Sequence, residues 1–478
     1  MDSTLKTFIL VTGGHGFIGG HVVKTLTNQG HRVRIADIAP QSHQPLICNA
    51  DICVGNLCDP AFCSQVVRDV HTVLHFAATM GGMGAIHAAN DFIIYQENHT
   101  MTLNLLKACK DAGVKKFLWA SSACVYPETF QDGSTSDVSL KESDARGKGP
   151  PTPQGLYGLQ KLHIEDVLHQ FSNTLDIRIA RFHNIYGPGG SWFGGKEKAP
   201  AALLRKAFAA KLAGVSPIEL EIWGDGKQRR SFCYIDDAVD AIILLLQSSC
   251  TDPVNIGSEE SVTINELADI AVRCAQLDTE HVCYNHLSDK PVGVQARNSN
   301  NDFVKRVLNW SPKFSLEQGM HCTGEWIRAE IEKVLVQDDT AGRIQALGRF
   351  QRSDVVMLSE EAITFAILLP ITSRGSNDPN DCLENLKQFA RSIILTTQDD
   401  LNRLGQRFRY RVYLAIDEDD FFLLGPGDIA QNQAELVLQS LGIPDVTSLI
   451  CDEPRGAVCN LWRICARRLG KMGAITLH

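Results

Sequence analysis

Two stretches, Ser121-Ser122-Ala123-Cys124-Val125-Tyr126 and Tyr157-Gly158-Leu159-Gln160-Lys161, hold the residues of this 478-residue chain best suited to chemistry. A tyrosine and a lysine four positions apart lie on one helix face, so the ammonium can sit beside the phenol. A nearby cation favours the phenolate, which makes Tyr157 a usable general base. Cys124 adds a second ionisable group. Without its flanks it would read as one more small buried side chain, because cysteine is among the most buried residue types.

These groups need elements to position them. Thr7-Phe-Ile-Leu-Val-Thr-Gly-Gly14 runs apolar into glycine, the pattern of a strand buried on both faces. Gly13, Gly16 and Gly19 then open a helix through Phe17, Ile18, Val22, Val23 and Leu26, in a spaced-glycine form of the dinucleotide fingerprint. A second strand, residues 31–37, ends on Asp37, about twenty residues beyond the glycines as that fingerprint requires. An aspartate there accepts from both ribose hydroxyls and repels a 2′-phosphate, so the cofactor reads as NAD. Arg32 and Arg34 on the same strand read as solvated outward-facing charges.

Strands over 72–78, 116–122 and 177–182 alternate with helices over 93–112 and 157–171. That alternation predicts parallel βαβ units, a Rossmann-type doubly wound sheet, with a smaller α/β substrate lobe over 183–335. Residues 129–153 are rich in Gly, Pro, Ser and charge and read as a flap over the site. The first domain is expected over 1–335, its cofactor half mainly 7–182. Residues 336–355 are expected to link it to a partial α/β domain at 356–478, with strands at 363–370 and 410–416 and a helix at 382–395.

Composition narrows the partners. Lys and Arg number 46 against 55 Asp and Glu, a net charge of −9 that disfavours nucleic acid and anionic membranes. No apolar run approaches a membrane span of about 18 residues. No export signal precedes the first strand, and fifteen scattered cysteines read as reduced thiols of a cytoplasmic protein. Cys48, Cys53, Cys58 and Cys63 recur every five residues, but zinc sites use closer-paired knuckles, so no metal is expected.

Residues 7–335 resemble the extended short-chain dehydrogenase/reductases, in the NAD-dependent epimerase/dehydratase family, and among them the GDP-mannose 3,5-epimerase group. The stretches that carry this are Met80-Gly-Gly-Met-Gly84, Ser121 to Glu128, Tyr157 to Lys161, Arg181-Phe-His-Asn-Ile-Tyr-Gly-Pro188 and Gly195-Lys-Glu-Lys-Ala-Pro-Ala-Ala202. Trp223-Gly-Asp-Gly226, Arg230-Ser-Phe232, Val254-Asn-Ile-Gly257 and Arg297-Asn-Ser299 extend the match.

The resemblance implies a nucleotide-diphosphate sugar substrate carrying guanosine and an enzyme that oxidises the sugar transiently at carbon 4. Tyr157, helped by Lys161, would take the proton of the 4-hydroxyl, and Ser122 would hydrogen-bond the same oxygen. Cys124 and Lys198 would act on opposite faces of the ring beside the transient ketone. In this context Cys124 reads as functional, and Lys198 needs a lowered pKa, for which Lys196, Arg205 and Lys206 are nearby cations. The resemblance also places Ala77 with Gly13, Gly16, Phe17, Ile18, Gly19 and Asp37 at the cofactor. It assigns Gly82, Asn184, Glu197 and Ala199 to the substrate, and Lys206, Gln228, Arg230 and Arg297 to its nucleotide end. It implies a homodimer paired through helices 93–112 and 157–171.

Departures leave alternatives open. Thr79 stands where the family pattern has Asp, Gln295-Ala296-Arg297-Asn298 lacks one arginine, the flap is reworked, and extra residues fall near 212–217. A 4-epimerase needs neither Cys124 nor Lys198. A 4,6-dehydratase wants an Asp-Glu pair where Ala123-Cys124 stands, and a non-catalytic NAD-binding scaffold would not need Ser122, Tyr157 and Lys161 together. The C-terminal part resembles the start of a GT-A type glycosyltransferase that ends before its metal-binding Asp-x-Asp. Asp417 to Asp420 reads as a solvated loop, and the piece as a non-catalytic remnant.

Overall fold

Seven parallel strands in the order Val254–Ile256, β6 (Asp176–Phe182), β5 (Lys116–Ser122), β4 (Thr72–His75), β1 (Phe8–Thr12), β2 (Arg32–Asp37) and β3 (Asp51–Val54) form the central sheet. In this computed structural model the described residues are 7–39, 50–79, 91–133, 138–146, 151–214, 216–336, 343, 346–348, 350–352 and strands 363–371, 408–417 and 446–451. The strand order reverses between β1 and β4, with β1 pairing β2 on one side and β4 on the other. Such a switch point opens a crevice at the carboxyl ends of the strands, where this fold binds ligands.

The reason these strands are central is their composition. Ile9, Leu10 and Val11 of β1, Val73 and Leu74 of β4 and Phe117 and Leu118 of β5 are all buried, because helices cover both faces. One core lies under helices Phe17–Asn28, Ile235–Gln247 and Ala199–Ala213, the other under Asp91–Ala112 and Gly155–Phe171. The smaller lobe adds a strand pair, Ile218–Trp223 with Val282–Leu287, and a three-stranded sheet in which Arg229–Ser231 is central.

The flap has the irregular form its composition predicts, with short helical turns at Glu128–Phe130 and Glu142–Arg146, yet it is anchored. Three of its apolar residues are packed: Val138, Leu140 and Ala145 are buried with Val125, Tyr126 and Leu162. The bridge Pro127–Pro153 closes its two ends, and Leu140–Ser299 ties down its middle. Loop-like composition concealed this, because the anchoring partners lie far away in sequence.

Contacts divide the chain into two units, Met1–Val355 and Val356–His478. The stretch expected to act as a linker from 336 therefore belongs, in its described residues, to the first unit. Leu347 and Phe350 are buried, and Phe350 packs on Trp192 and Phe193 at ring distances of 5.5 and 4.9 Å. Arg205 donates to the Phe350 carbonyl and, at 3.1 Å, to that of Arg352. In the second unit three parallel strands, Ile363–Ile371, Phe408–Asp417 and Val446–Cys451, form a sheet with the second in the middle. The helix expected over 382–395 lies outside the described residues.

Ending the chain after Val355 should leave the melting midpoint of the first unit unchanged. Ending it after residue 344 should lower that midpoint by about 5–10 °C, because a buried aromatic and two carbonyl acceptors are lost. Equal midpoints for the two truncations would contradict this assignment.

Candidate active site

The cofactor end is built around backbone approach. Gly13 has φ +68°, and a Cβ there would lie 2.7 Å from the amide nitrogen of Ala77. A Cβ on Gly19 would fall 2.2 Å from the Gly13 carbonyl oxygen, so helix α1 (Phe17–Asn28) closes tightly on the turn. The bare turn and the helix N-terminus form the cradle that a pyrophosphate needs. The Asp37 carboxylate accepts from the backbone N–H groups of His15 and Ala39, each at 3.0 Å, which fixes it at the tip of β2. Thr12 Oγ1 accepts from the Ala77 amide at 3.2 Å and pairs with His75 Nδ1 at 2.6 Å, tying β1 to β4. Phe17 and Ile18 pack partly buried against the core beneath this turn. These residues fit a dinucleotide with unphosphorylated ribose.

The chemistry sits at the end of β5. Tyr157, Lys161 and Glu165 follow at intervals of four along the buried face of helix Gly155–Phe171. Glu165 anchors that face: it accepts from Arg181 Nη2 at 2.6 Å and Nε at 2.9 Å, and from Ser121 Oγ at 2.6 Å, all buried. One turn earlier, Lys161 Nζ donates to the Ala120 carbonyl at 2.8 Å and lies 4.6 Å above the Trp119 ring. Burial holds its ammonium down at about 8, against attraction from Cys124 and Glu165. Tyr157 hydrogen-bonds Ser122.

The phenol of Tyr157 departs from the sequence expectation. Burial, then the neighbouring Cys124, push it above its ordinary range, and only the Ser122 bond opposes them. Lys161 is 5.6 Å from the ring and itself desolvated, so burial outweighs the lysine's help.

The thiol is pinned to the same helix. Cys124 N donates to Ser122 Oγ at 3.2 Å, and Gln154 N, at the helix N-cap, donates to the Cys124 carbonyl at 2.9 Å. A Cβ on Gly158 would stand 2.2 Å from that carbonyl oxygen. Only a bare glycine lets the helix sit this close.

One cation touches the sulfur, and two more, Lys198 and Arg230, are near enough to feel its charge. Arg297 Nη1 lies 3.6 Å from Cys124 Sγ. Lys198 is exposed at its surface, yet protein packed around it lowers its ammonium pKa by desolvation first, with Cys124 opposing and Arg297 adding to the fall. Arg230 is likewise lowered by burial and by Arg297, and it donates to the carbonyls of Arg229, Val292 and Val294. Among the described residues, none of the three forms an ion pair.

The structure thus gathers Ser122, Cys124, Tyr157, Lys161, Lys198, Arg230 and Arg297. Arg297, expected at the nucleotide end, stands at the thiol. Other expected site residues have polar atoms engaged within the protein. Glu197 pairs with Arg205 at 2.9 Å and accepts from Gly195 N, which holds the loop before Lys198; Ala199 begins the following helix. Lys206 is buried, donates to the Glu221 carbonyl at 2.9 Å and is pushed down to about 8 by burial. Asn184, at φ +47°, donates to the Ser231 carbonyl at 3.0 Å. Gln228 donates to the Trp223 carbonyl at 2.8 Å, leaving its own buried oxygen without a partner. Gly82 and Cys48 lie outside the described residues. Among the described residues no three His, Cys, Asp or Glu side chains could share a metal. Sequence reasoning missed Gln131 and Gln154, which hold Arg297, and nothing local in the chain marks them.

A doubly wound sheet with a dinucleotide cradle and a Ser-Tyr-Lys set at the neighbouring strand end defines a class of nucleotide-cofactor enzymes. Residues 9–257 match the NAD dependent epimerase/dehydratase family, and the chain belongs to it. The chain is 41% identical to GDP-mannose 3,5-epimerase of Arabidopsis thaliana over 330 residues, covering 68% of this chain and 83% of that protein. In fold it is similar to UDP-glucose 4-epimerase of Thermotoga maritima with UDP-glucose, at TM-score 0.59 and 26% identity, covering 68% of this chain and all of that one. It is also similar to MoeE5 in complex with UDP-glucuronic acid and NAD, at TM-score 0.55 and 27% identity, covering 67% of this chain and 99% of that one. The protein is an NAD-dependent epimerase, an enzyme of the isomerase class.

Gly158→Ala forces the helix off the Cys124 carbonyl and should cost about 1–3 kcal/mol of stability. Turnover should fall further than stability alone explains, because Tyr157 moves with the helix. Unfolding and activity measured side by side check this; a variant with unchanged midpoint and rate would refute the seating argument.

Proposed function

We propose that the enzyme inverts carbons 3 and 5 of a GDP-hexose, most simply GDP-mannose, through a transient ketone at carbon 4. The observation that carries this reading is the meeting of a thiol and the lysine Lys198 beside the Ser122-Tyr157-Lys161 set. A 4-epimerase has no use for that pair. A 4,6-dehydratase would need acidic side chains where Ala123 and Cys124 stand.

Tyr157 takes the 4-hydroxyl proton, and Ser122, already bonded to it, holds the same oxygen. Bound NAD supplies a reversible hydride acceptor, so no net oxidation accumulates. The ketone makes the adjoining C–H groups acidic. Cys124 and Lys198 then remove a proton from one face of the ring and return one to the other. For Lys198 the lowered pKa supports this role, since a base must be neutral part of the time. The charge of Arg230, held by backbone carbonyls and cancelled by no described carboxylate, suits attraction of a diphosphate.

We further propose a homodimer paired through helices Asp91–Ala112 and Gly155–Phe171. Phe92, Ile93 and Leu103 are exposed along the first, and the rings of Tyr95, His99 and His163 bridge the two. A fully active monomer in sedimentation would contradict it. The ten free cysteines among the described residues fit a reducing compartment, and we place the protein in the cytoplasm. No described helix is long and apolar enough to cross a membrane.

Incubation with GDP-mannose in deuterium oxide tests the chemistry. The wild type should place label at both carbons, and Cys124→Ala should lose label at one while binding NAD as before. Full exchange at both carbons in that variant would remove Cys124 from the mechanism; label at neither carbon in the wild type would remove the reaction.

A further inference from the structure

Among the described residues, Arg297 is held by two glutamines and no carboxylate. Gln131 is fully buried, and its amide N–H groups donate to the carbonyls of Tyr126 at 3.2 Å and Pro127 at 3.0 Å. Those two bonds orient the amide, so its oxygen accepts from Arg297 Nε at 2.6 Å. The Gln154 oxygen accepts from Arg297 Nη2 at 2.7 Å. The same residue holds the Cys124 carbonyl through its backbone N–H. The remaining guanidinium nitrogen, Nη1, points at the sulfur.

A carboxylate at either position would satisfy the same N–H groups more strongly, because charge-assisted bonds exceed neutral ones. It would also cancel the cation. An amide holds the fork and leaves the full charge facing outward. We infer that Gln131 and Gln154 are positioning residues, a neutral clamp that aims an undiminished Arg297 charge at Cys124 and Lys198. A cation beside a thiol favours the thiolate. The same cation disfavours a second positive charge on Lys198. One charge thus lies against the sulfur and opposes a second cation at Lys198, and the clamp keeps it available to both. The inference deepens the proposed reaction and rests on it for the thiol's part in turnover, while its test needs no turnover.

The test is the rate at which iodoacetamide alkylates Cys124 at pH 7, read by mass spectrometry of the peptide that carries it. The thiolate sulfur displaces iodide, so the rate follows the thiolate fraction. Gln154→Glu keeps an acceptor for Arg297 and adds the cancelling charge. It should slow alkylation about tenfold, the effect of offsetting a cation within 4–6 Å. Gln154→Met, which removes one holder and adds no charge, should slow it less. A purely structural clamp predicts the reverse order, since a carboxylate holds arginine better than methionine does. Alkylation of Gln154→Glu at the wild-type rate, or faster than Gln154→Met, overturns the inference. Melting and NAD binding report folding. If Gln154→Glu does not fold, Arg297→Gln carries the test: slow alkylation supports the clamp's purpose, and the wild-type rate overturns it. Slow alkylation of Gln154→Glu, with no deuterium entering GDP-mannose in the wild type, would keep the clamp and remove the proposed reaction.

Discussion

The close seating of the Tyr157 helix on the carbonyl of Cys124 is the constraint on which the site depends. It joins two pieces of chemistry that arise separately in the chain. The Tyr-Lys pair belongs to a helix, and the thiol to a single turn after β5 (Ala123–Val125). Gln154 supplies the hydrogen bond and Gly158 the space. Glu165 then locks the helix's axial position through Arg181 and Ser121, deep in the sheet. A buried ion pair of this kind costs several kcal/mol if one partner is removed, so the helix has little freedom to drift from the thiol.

Electrostatics act on top of that geometry. Lys161 sits between a carbonyl, an indole face and Glu165, where desolvation brings it to about 8. Around the sulfur, cations are held by neutral acceptors. Backbone carbonyls hold Arg230 and glutamine amides hold Arg297. A site meant to receive a diphosphate and to generate carbanion character profits from charge that the protein itself does not neutralise.

Much of this was legible in the sequence, for reasons that differ by element. Gly13, Gly16, Gly19 and Asp37 are read easily because a phosphate cradle and a ribose acceptor need fixed local spacing. Tyr157 and Lys161 are read from helical periodicity. The partners of Arg297 were not readable, because Gln131 and Gln154 lie 166 and 143 residues from it and meet it only through tertiary folding. The Phe350 segment was hidden for the same reason: its role is to cap Arg205, on helix Ala199–Ala213, and Trp192, on the loop before it. Composition reads the 129–153 stretch as a loop but not its anchors, since polar, glycine-rich sequence can still be tied down where a few apolar residues, Val138 and Leu140, find a core. The rise in the Tyr157 pKa was also out of reach, because burial cannot be summed from a local motif.

The most direct test of the account is a crystal structure with NAD and GDP-mannose bound together. The account predicts the hexose ring between Cys124 Sγ and Lys198 Nζ, with Tyr157 Oη and Ser122 Oγ on the 4-hydroxyl and Arg297 still clamped by both glutamines. A ring bound beyond hydrogen-bond reach of the thiol, or with both Cys124 and Lys198 on one face, would contradict it.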